Sequence, residues 1–216
     1  MNQEDYKNKK RILNLKEKLN NLITNSIVIS LNKPNKIKYF CIGYPKTGTT
    51  TLAECFKILK YKEIKLYDYF IKWFQSNKNI NDILNDKYFL KEIKENRMFA
   101  DWPFHLIYKE IYKKFPNSKF ILTIRKDKKT WEESLARYKK RKIKKTMLWK
   151  GLPPNQYEKH IREVKEHFKN SPNNLLIMCF EKGDEWEKLC TFLKEEVPNT
   201  KFPHKNKGEL WKLNEK

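Results

Sequence analysis

The sequence predicts an α/β fold, a parallel sheet in one domain with helices on both faces, and three observations carry that expectation. Short apolar runs of the kind that form buried strands recur along the chain, most clearly at 39–42, 119–124 and 175–180. Stretches with helical spacing separate them, and strand-helix alternation gives parallel β-α units. The first run opens into a loop bounded by Gly43 and Gly48, after which Leu52, Cys55, Phe56 and Leu59 mark a helix face. At 216 residues the chain has the size of one such domain.

Taken in order, residues from about Asp5 to Thr24 place Ile12, Leu15, Leu19, Leu22 and Ile23 at helical spacing, which predicts an amphipathic packing helix within 1–26. The α/β core is expected over 38–195 and a tail over 196–216. After the loop and its helix, Glu63-Ile64-Lys65-Leu66 reads as a weak second strand. Tyr67 to Asn96 reads as helical pieces broken near Ser76-Asn77 and Asn85-Asp86, with Tyr67, Tyr69, Phe70, Trp73 and Phe74 as core or as the wall of an acceptor pocket. Arg97-Met98-Phe99-Ala100 is a further short apolar run. Asp101-Trp102-Pro103 leads into a helix over Phe104 to Phe115, with proline near its first position. Lys119 to Ile124 is the clearest buried strand and ends at Arg125. Thr130 to Lys140 is helical with Trp131, Leu135 and Tyr138 inward, and Lys139 to Lys150 reads as a solvated basic segment. Pro153-Pro154 opens a helix to about Asn170, Leu175 to Phe180 is the last strand, and Asp184 is expected to cap a final helix bearing Trp186, Leu189, Phe192 and Leu193.

Composition narrows the class. The formal charge of +22 comes from 42 Lys and 6 Arg against 26 acidic residues. Such a surface draws anionic ligands and makes binding salt-sensitive, but few arginines and no recognisable nucleic-acid module leave specific nucleic-acid binding without support. Cys41, Cys55, Cys179 and Cys190 show no metal-ligand spacing and sit in apolar patterns, so they read as reduced core residues. No run reaches the ~18 apolar residues of a membrane span, and the first 26 residues lack a signal-peptide core; the expectation is a soluble, cytoplasmic protein.

The stretch Lys38–Leu52, KYFCIGYPKTGTTTL, carries the chemistry. In a strand-loop-helix unit, loop N–H groups and the positive helix end converge on one point, where an anion satisfies the unpaired donors. A nucleotide triphosphatase loop reads G-x-x-x-x-G-K-[ST], with lysine directly after the second glycine and a hydroxyl on Mg²⁺. Here Thr49 follows Gly48, and the lysine is Lys46, inside the loop. Ligands of parallel sheets sit beyond the C-terminal strand ends, which groups Lys46, Asp101 and Arg125 along one edge.

The loop Tyr44-Pro45-Lys46-Thr47-Gly48-Thr49-Thr50 resembles the 5'-phosphosulfate loop of the sulfotransferases. The resemblance extends to Ala100-Asp101-Trp102-Pro103, to Phe120–Arg125 with Trp131 and Ser134, and to Glu185–Leu193 with the Phe202-Pro203-His204 ending. It points to a subgroup with a D-W-P motif and a W-E-x-L-C-x-F-L helix. It implies a three-layer P-loop-type fold and, without metal, the donor 3'-phosphoadenosine 5'-phosphosulfate (PAPS), whose product is adenosine 3',5'-bisphosphate (PAP). By resemblance, Lys46 meets the leaving oxygen, Pro45 to Thr50 (Pro45, Lys46, Thr47, Gly48, Thr49, Thr50) hold the 5'-phosphate, and Arg125 with Ser134 hold the 3'-phosphate. Sulfuryl transfer builds charge on the bridging oxygen, so a cation and N–H donors there suit the reaction.

The pattern departs from the family at two places. Arg125 and Ser134 are nine residues apart where the family has eight, and Thr51 stands where many cytosolic relatives carry an adenine-stacking tryptophan. An acceptor hydroxyl must lose a proton. Asp101, where cytosolic relatives have the histidine of His-Leu-Pro, is the first candidate base and His105 the second; Asp101 also suits a helix cap. The resemblance implies an acceptor hydroxyl or amine on a small molecule or carbohydrate. Two other readings compete: a P-loop nucleotide or small-molecule kinase, against which Arg125 ends a strand where an Mg²⁺-holding Asp is expected, and a non-catalytic basic protein that binds nucleotides or polyanions.

Overall fold

Four parallel strands, β1 (Tyr39–Cys41), β2 (Met98–Phe99), β3 (Lys119–Thr123) and β4 (Leu175–Met178), form one sheet in the order β2-β1-β3-β4. The computed structural model describes residues 37–62, 66–76, 79–100, 102–140 and 155–204, together with Leu13, Asn14, Glu17, Lys18 and Asn21. Eight α-helices are described: α1 (Thr49–Ile58), α2 (Tyr67–Gln75), α3 (Ile80–Asn85), α4 (Lys87–Glu95), α5 (Phe104–Lys114), α6 (Lys128–Lys140), α7 (Asn155–His167) and α8 (Trp186–Leu193).

Strand side chains alternate between two cores, as a period of two requires. Phe40, Phe99, Phe120 and Leu122 join one cluster with residues of α3, α4, α5 and α7, including Leu84, Phe89, Ile107 and Val164. In register across three strands, the Phe40 ring lies 4.9 Å from Phe99 and 5.6 Å from Phe120. Tyr39, Cys41, Met98, Ile121, Leu176 and Met178 join the second cluster with Leu52 and Phe56 of α1 and Trp186, Leu189 and Leu193 of α8. The three-layer α/β expectation therefore holds. Each large apolar side chain so buried contributes about 1.5–3 kcal/mol relative to exposure.

The strand order reverses between β1 and β3. Loops following two such neighbours part at the C-terminal strand ends and leave a crevice there. The Gly43–Gly48 loop and Arg125 both lie at that edge, since they follow β1 and β3.

Several local expectations are refined. The helix read from Thr130 begins at Lys128, because Asp127 Oδ1 accepts the Thr130 N–H at 2.7 Å and caps the first turn. The helix read to about Asn170 ends at His167. Asp184 is not the cap of α8: the N-cap is Glu185, which makes no side-chain cap bond. The Asp184 carboxylate instead accepts from Cys179 N and Lys188 Nζ, both at 2.8 Å. The turn before α8 brings a backbone donor and an ammonium to the carboxylate, and charge-assisted bonds of that kind hold it there. All four cysteines are buried and none forms a disulfide. The second strand read at 63–66, the apolar positions of the N-terminal helix, Pro153-Pro154 and Asp101 lie outside the described residues, apart from buried Leu66. Among the described residues no helix is long and apolar enough to cross a membrane.

Candidate functional site

Close backbone approach shapes the loop after β1. A Cβ on Gly43 would stand 1.9 Å from Thr123 Oγ1 and 2.8 Å from Thr47 Oγ1, so only glycine fits against β3. Thr47 is fully buried; its hydroxyl donates to Tyr44 O at 2.6 Å, which leaves Thr123 as the donor in the 2.7 Å contact between the two hydroxyls. Lys46 (φ 72°) and Gly48 (φ 102°) flank it in the left-handed region. At Gly48 a Cβ would also meet the Phe180 ring at 2.7 Å.

The loop carbonyls are tied down from outside. Trp131 Nε1 donates to Pro45 O at 2.8 Å, and Arg125 Nε donates to Lys46 O at 2.7 Å. Trp131 in turn stacks on Tyr157 at 4.7 Å with the planes 5° apart, and both pack with Tyr44 and Leu135 beneath the loop. Helix α1 then starts at Gly48 with no side-chain cap and no acidic residue in its first turn. With the carbonyls held, the orphan N–H groups of that first turn are the donors the loop offers an anion.

Arg125 is the hub of the opposite wall. Its backbone N–H donates to Tyr157 OH at 2.9 Å, Nη2 to Ser134 Oγ at 3.3 Å, and Nη1 to the Glu181 carboxylate. The nine-residue spacing does not separate Arg125 from Ser134: the bend at Lys126-Asp127 absorbs the extra residue before α6 begins. Lys46 Nζ lies 4.4 Å over the Tyr138 ring, one turn past Ser134 on α6. Lys46, Thr47, Gly48, Arg125 and Ser134 thus share one edge, with Thr49 and Thr50 at its helix start.

His105 stands apart from that wall. It is 4% exposed on α5, with its ring 5.6 Å from Tyr44 and 5.9 Å from His160. Burial, with His160 adding a little, pulls its pKa down to about 3. His160 is also held neutral by burial, so its Nε2–H donates to Ile42 O at 2.7 Å. Pro103 occupies the N-cap position of α5.

Sequence reasoning missed Glu181, Phe180, Tyr157, Thr123 and Tyr138. Phe180 and Glu181 lie two and three residues past the end of β4, so the strand-end rule was signal enough for them. Tyr157 lies on a helix 32 residues from Arg125, and nothing in its neighbourhood announces the contact.

A parallel α/β sheet whose first strand feeds a capless helix through a clamped glycine loop, beside an arginine that follows the neighbouring strand β3, defines an α/β protein whose loop has the geometry of a phosphate cradle. The particular family follows from comparison: the sulfotransferase domain model matches residues 38–155 and 152–211, and the chain belongs to that family. Family membership makes it a transferase of sulfuryl groups. No curated protein matches the chain.

Proposed function

We propose that the protein transfers a sulfuryl group from PAPS to a hydroxyl or amine of a small-molecule or carbohydrate acceptor. The observation that carries this reading is the convergence of Arg125 Nη2 and Ser134 Oγ at 3.3 Å while Arg125 Nε anchors the Lys46 carbonyl at 2.7 Å. Two anion stations, one of loop amides and one of guanidinium, then suit a ligand with phosphates at both ends of a ribose. The cradle fits the donor: Gly48 has no room for a side chain, and no carboxylate stands in the first turn of α1.

PAPS, when bound, supplies the activated sulfuryl group and leaves as PAP. In this reading the N–H groups of Gly48, Thr49 and Thr50 hold the 5'-phosphate, while Pro45, which has no N–H, and buried Thr47, whose hydroxyl and N–H both donate to Tyr44 O, shape the loop around it. Lys46 leaves the Tyr138 ring for the oxygen on which charge develops. Arg125 and Ser134 hold the 3'-phosphate. Asp101 takes the acceptor proton; His105 is the second candidate, but a buried imidazole of pKa about 3 is a weak base at neutral pH. Residues 1–26 and 196–216 are proposed as a helix and a tail around one catalytic domain, in a cytoplasmic setting.

The kinase reading lacks its lysine after Gly48, and a purely polyanion-binding role has only the +22 charge behind it. A thermal-shift series in EDTA decides between them. PAP at millimolar concentration should raise the melting temperature without metal. No shift with PAP, together with a shift for ATP and Mg²⁺, overturns the reading in favour of a kinase.

A further inference from the structure

We propose that Glu181 is an exchangeable counter-ion of the Arg125 station: its carboxylate occupies the guanidinium before the donor binds and returns to it as the 3'-phosphorylated product leaves. The inference rests on the PAPS reading above and concerns a residue that no part of that reading uses.

The geometry of Arg125 separates permanent partners from a replaceable one. Nε is committed to Lys46 O and the backbone N–H to Tyr157 OH, contacts that hold the loop and the strand end. Nη2 reaches Ser134, a neutral hydroxyl. Among the described residues the charged partner of the guanidinium is Glu181, on Nη1. The side chains of the pair are 22% and 25% exposed, so the contact can be reached from solvent. An incoming phosphate that uses the same fork meets a carboxylate of like charge, and the two do not share the guanidinium without repulsion.

Glu181 is placed for that exchange. It sits on the 3₁₀ turn Phe180–Lys182, which follows β4 after Cys179. Lys182 N donates to Cys179 O at 2.9 Å, Gly183 N to Phe180 O at 3.2 Å, and Asp184 holds Cys179 N, so the turn backbone is fixed at both ends. Among the described residues the side chain also accepts a weak contact from Cys179 Sγ to Oε2 at 3.6 Å. A fixed backbone with a lightly held carboxylate allows the head group to swing without moving the sheet. A phosphate dianion outcompetes it, whereas a ribose hydroxyl leaves the ion pair in place. Glu181 therefore lowers affinity for every 3'-phosphorylated ligand and shortens the stay of PAP, a step that limits turnover in many transferases.

The test compares wild type with Glu181→Gln, which keeps the shape and one acceptor but removes the charge. Calorimetric titrations use PAP and adenosine 5'-monophosphate (AMP), which lacks the 3'-phosphate. Expected are PAP binding about three- to tenfold tighter in Glu181→Gln, unchanged AMP binding, slower PAP dissociation in stopped flow, and a gain that shrinks as salt rises. Equal changes for PAP and AMP, or weaker PAP binding, overturn the proposal and make Glu181 a scaffold for Arg125. PAP binding to wild type with no change in the variant overturns this proposal alone. Failure of PAP to bind either protein overturns the PAPS reading and this inference with it.

Discussion

Arg125 Nε donates to the carbonyl oxygen of Lys46 at 2.7 Å. That bond joins the guanidinium at the end of β3 to the residue of the β1 loop whose backbone is left-handed, φ 72°. A non-glycine residue in that region costs about 1–2 kcal/mol, and it persists because its surroundings hold it. Loop geometry and guanidinium position are thus one mechanical unit.

Arg125→Ala should therefore act on two ligands unequally. Loss of a charge-assisted bond to the 3'-phosphate is worth about 1.5–3 kcal/mol, roughly 10- to 100-fold in PAP affinity. Loosening of the Lys46 carbonyl should weaken AMP as well, by about three- to fivefold, since half-exposed polar contacts are worth under about 1 kcal/mol. Titration of both nucleotides checks this. Equal losses for the two mean that Arg125 does not read the 3'-phosphate.

Two substitutions separate binding from turnover. Lys46→Ala should leave PAP affinity within about an order of magnitude while lowering donor-saturated turnover by about 10²–10³, if the ammonium acts on charge that develops only in the transition state. Asp101→Asn should lower turnover by about 10²–10⁴ at an unchanged melting temperature, because Asn keeps the size of the side chain and loses only its capacity to take a proton. His105→Asn should be mild in turnover by comparison. Once an acceptor is found with labelled donor, full activity in Asp101→Asn beside loss in His105→Asn would move the base to His105.

Gly48 has no tolerance for a methyl group. Gly48→Ala meets both the positive φ of 102° and the Phe180 ring at 2.7 Å, and should lose about 1–3 kcal/mol in denaturant unfolding. Adding Phe180→Ala relieves the contact but not the backbone strain. The two losses should be less than additive; strict additivity would place the whole cost in the backbone.

Stability should fall as pH drops from 7 to 5. His105 and His160 are both held neutral by burial, His105 to a pKa of about 3, whereas an unfolded histidine titrates near 6.5. The unfolded chain then binds more protons below about pH 6.5, so unfolding becomes easier as pH decreases, by at most about 1.4 kcal/mol per pH unit for each group. Urea midpoints at pH 7, 6 and 5 should show a shallower slope in His105→Gln. An identical slope would mean that His105 does not carry the pH dependence.

Much of this protein is legible in its residues taken locally. Phe120-Ile121-Leu122 announces the buried strand because both faces of a parallel sheet are covered. The glycines of the loop and the helical period after it mark the cradle, and the strand-end rule brings Lys46 and Arg125 to one edge. What depends on the approach of distant segments was not legible. Spacing along the chain put Ser134 one residue out of pattern, yet a two-residue bend returns its hydroxyl to Arg125. Asp184 has the residue type of a helix cap, but a turn supplies it with the Cys179 N–H and Lys188 instead. Glu181, 56 residues from Arg125, becomes its partner only when β4 pairs with β3. Hydrophobic period and turn chemistry act between near neighbours, so the sequence by itself determined the buried runs of β1, β3 and β4, the loop after β1 and the helical cover on both faces of the sheet. The choice of partner for a charge is made across the sheet, where the distance between two side chains is set by the packing of the whole fold, and only the tertiary structure decided it.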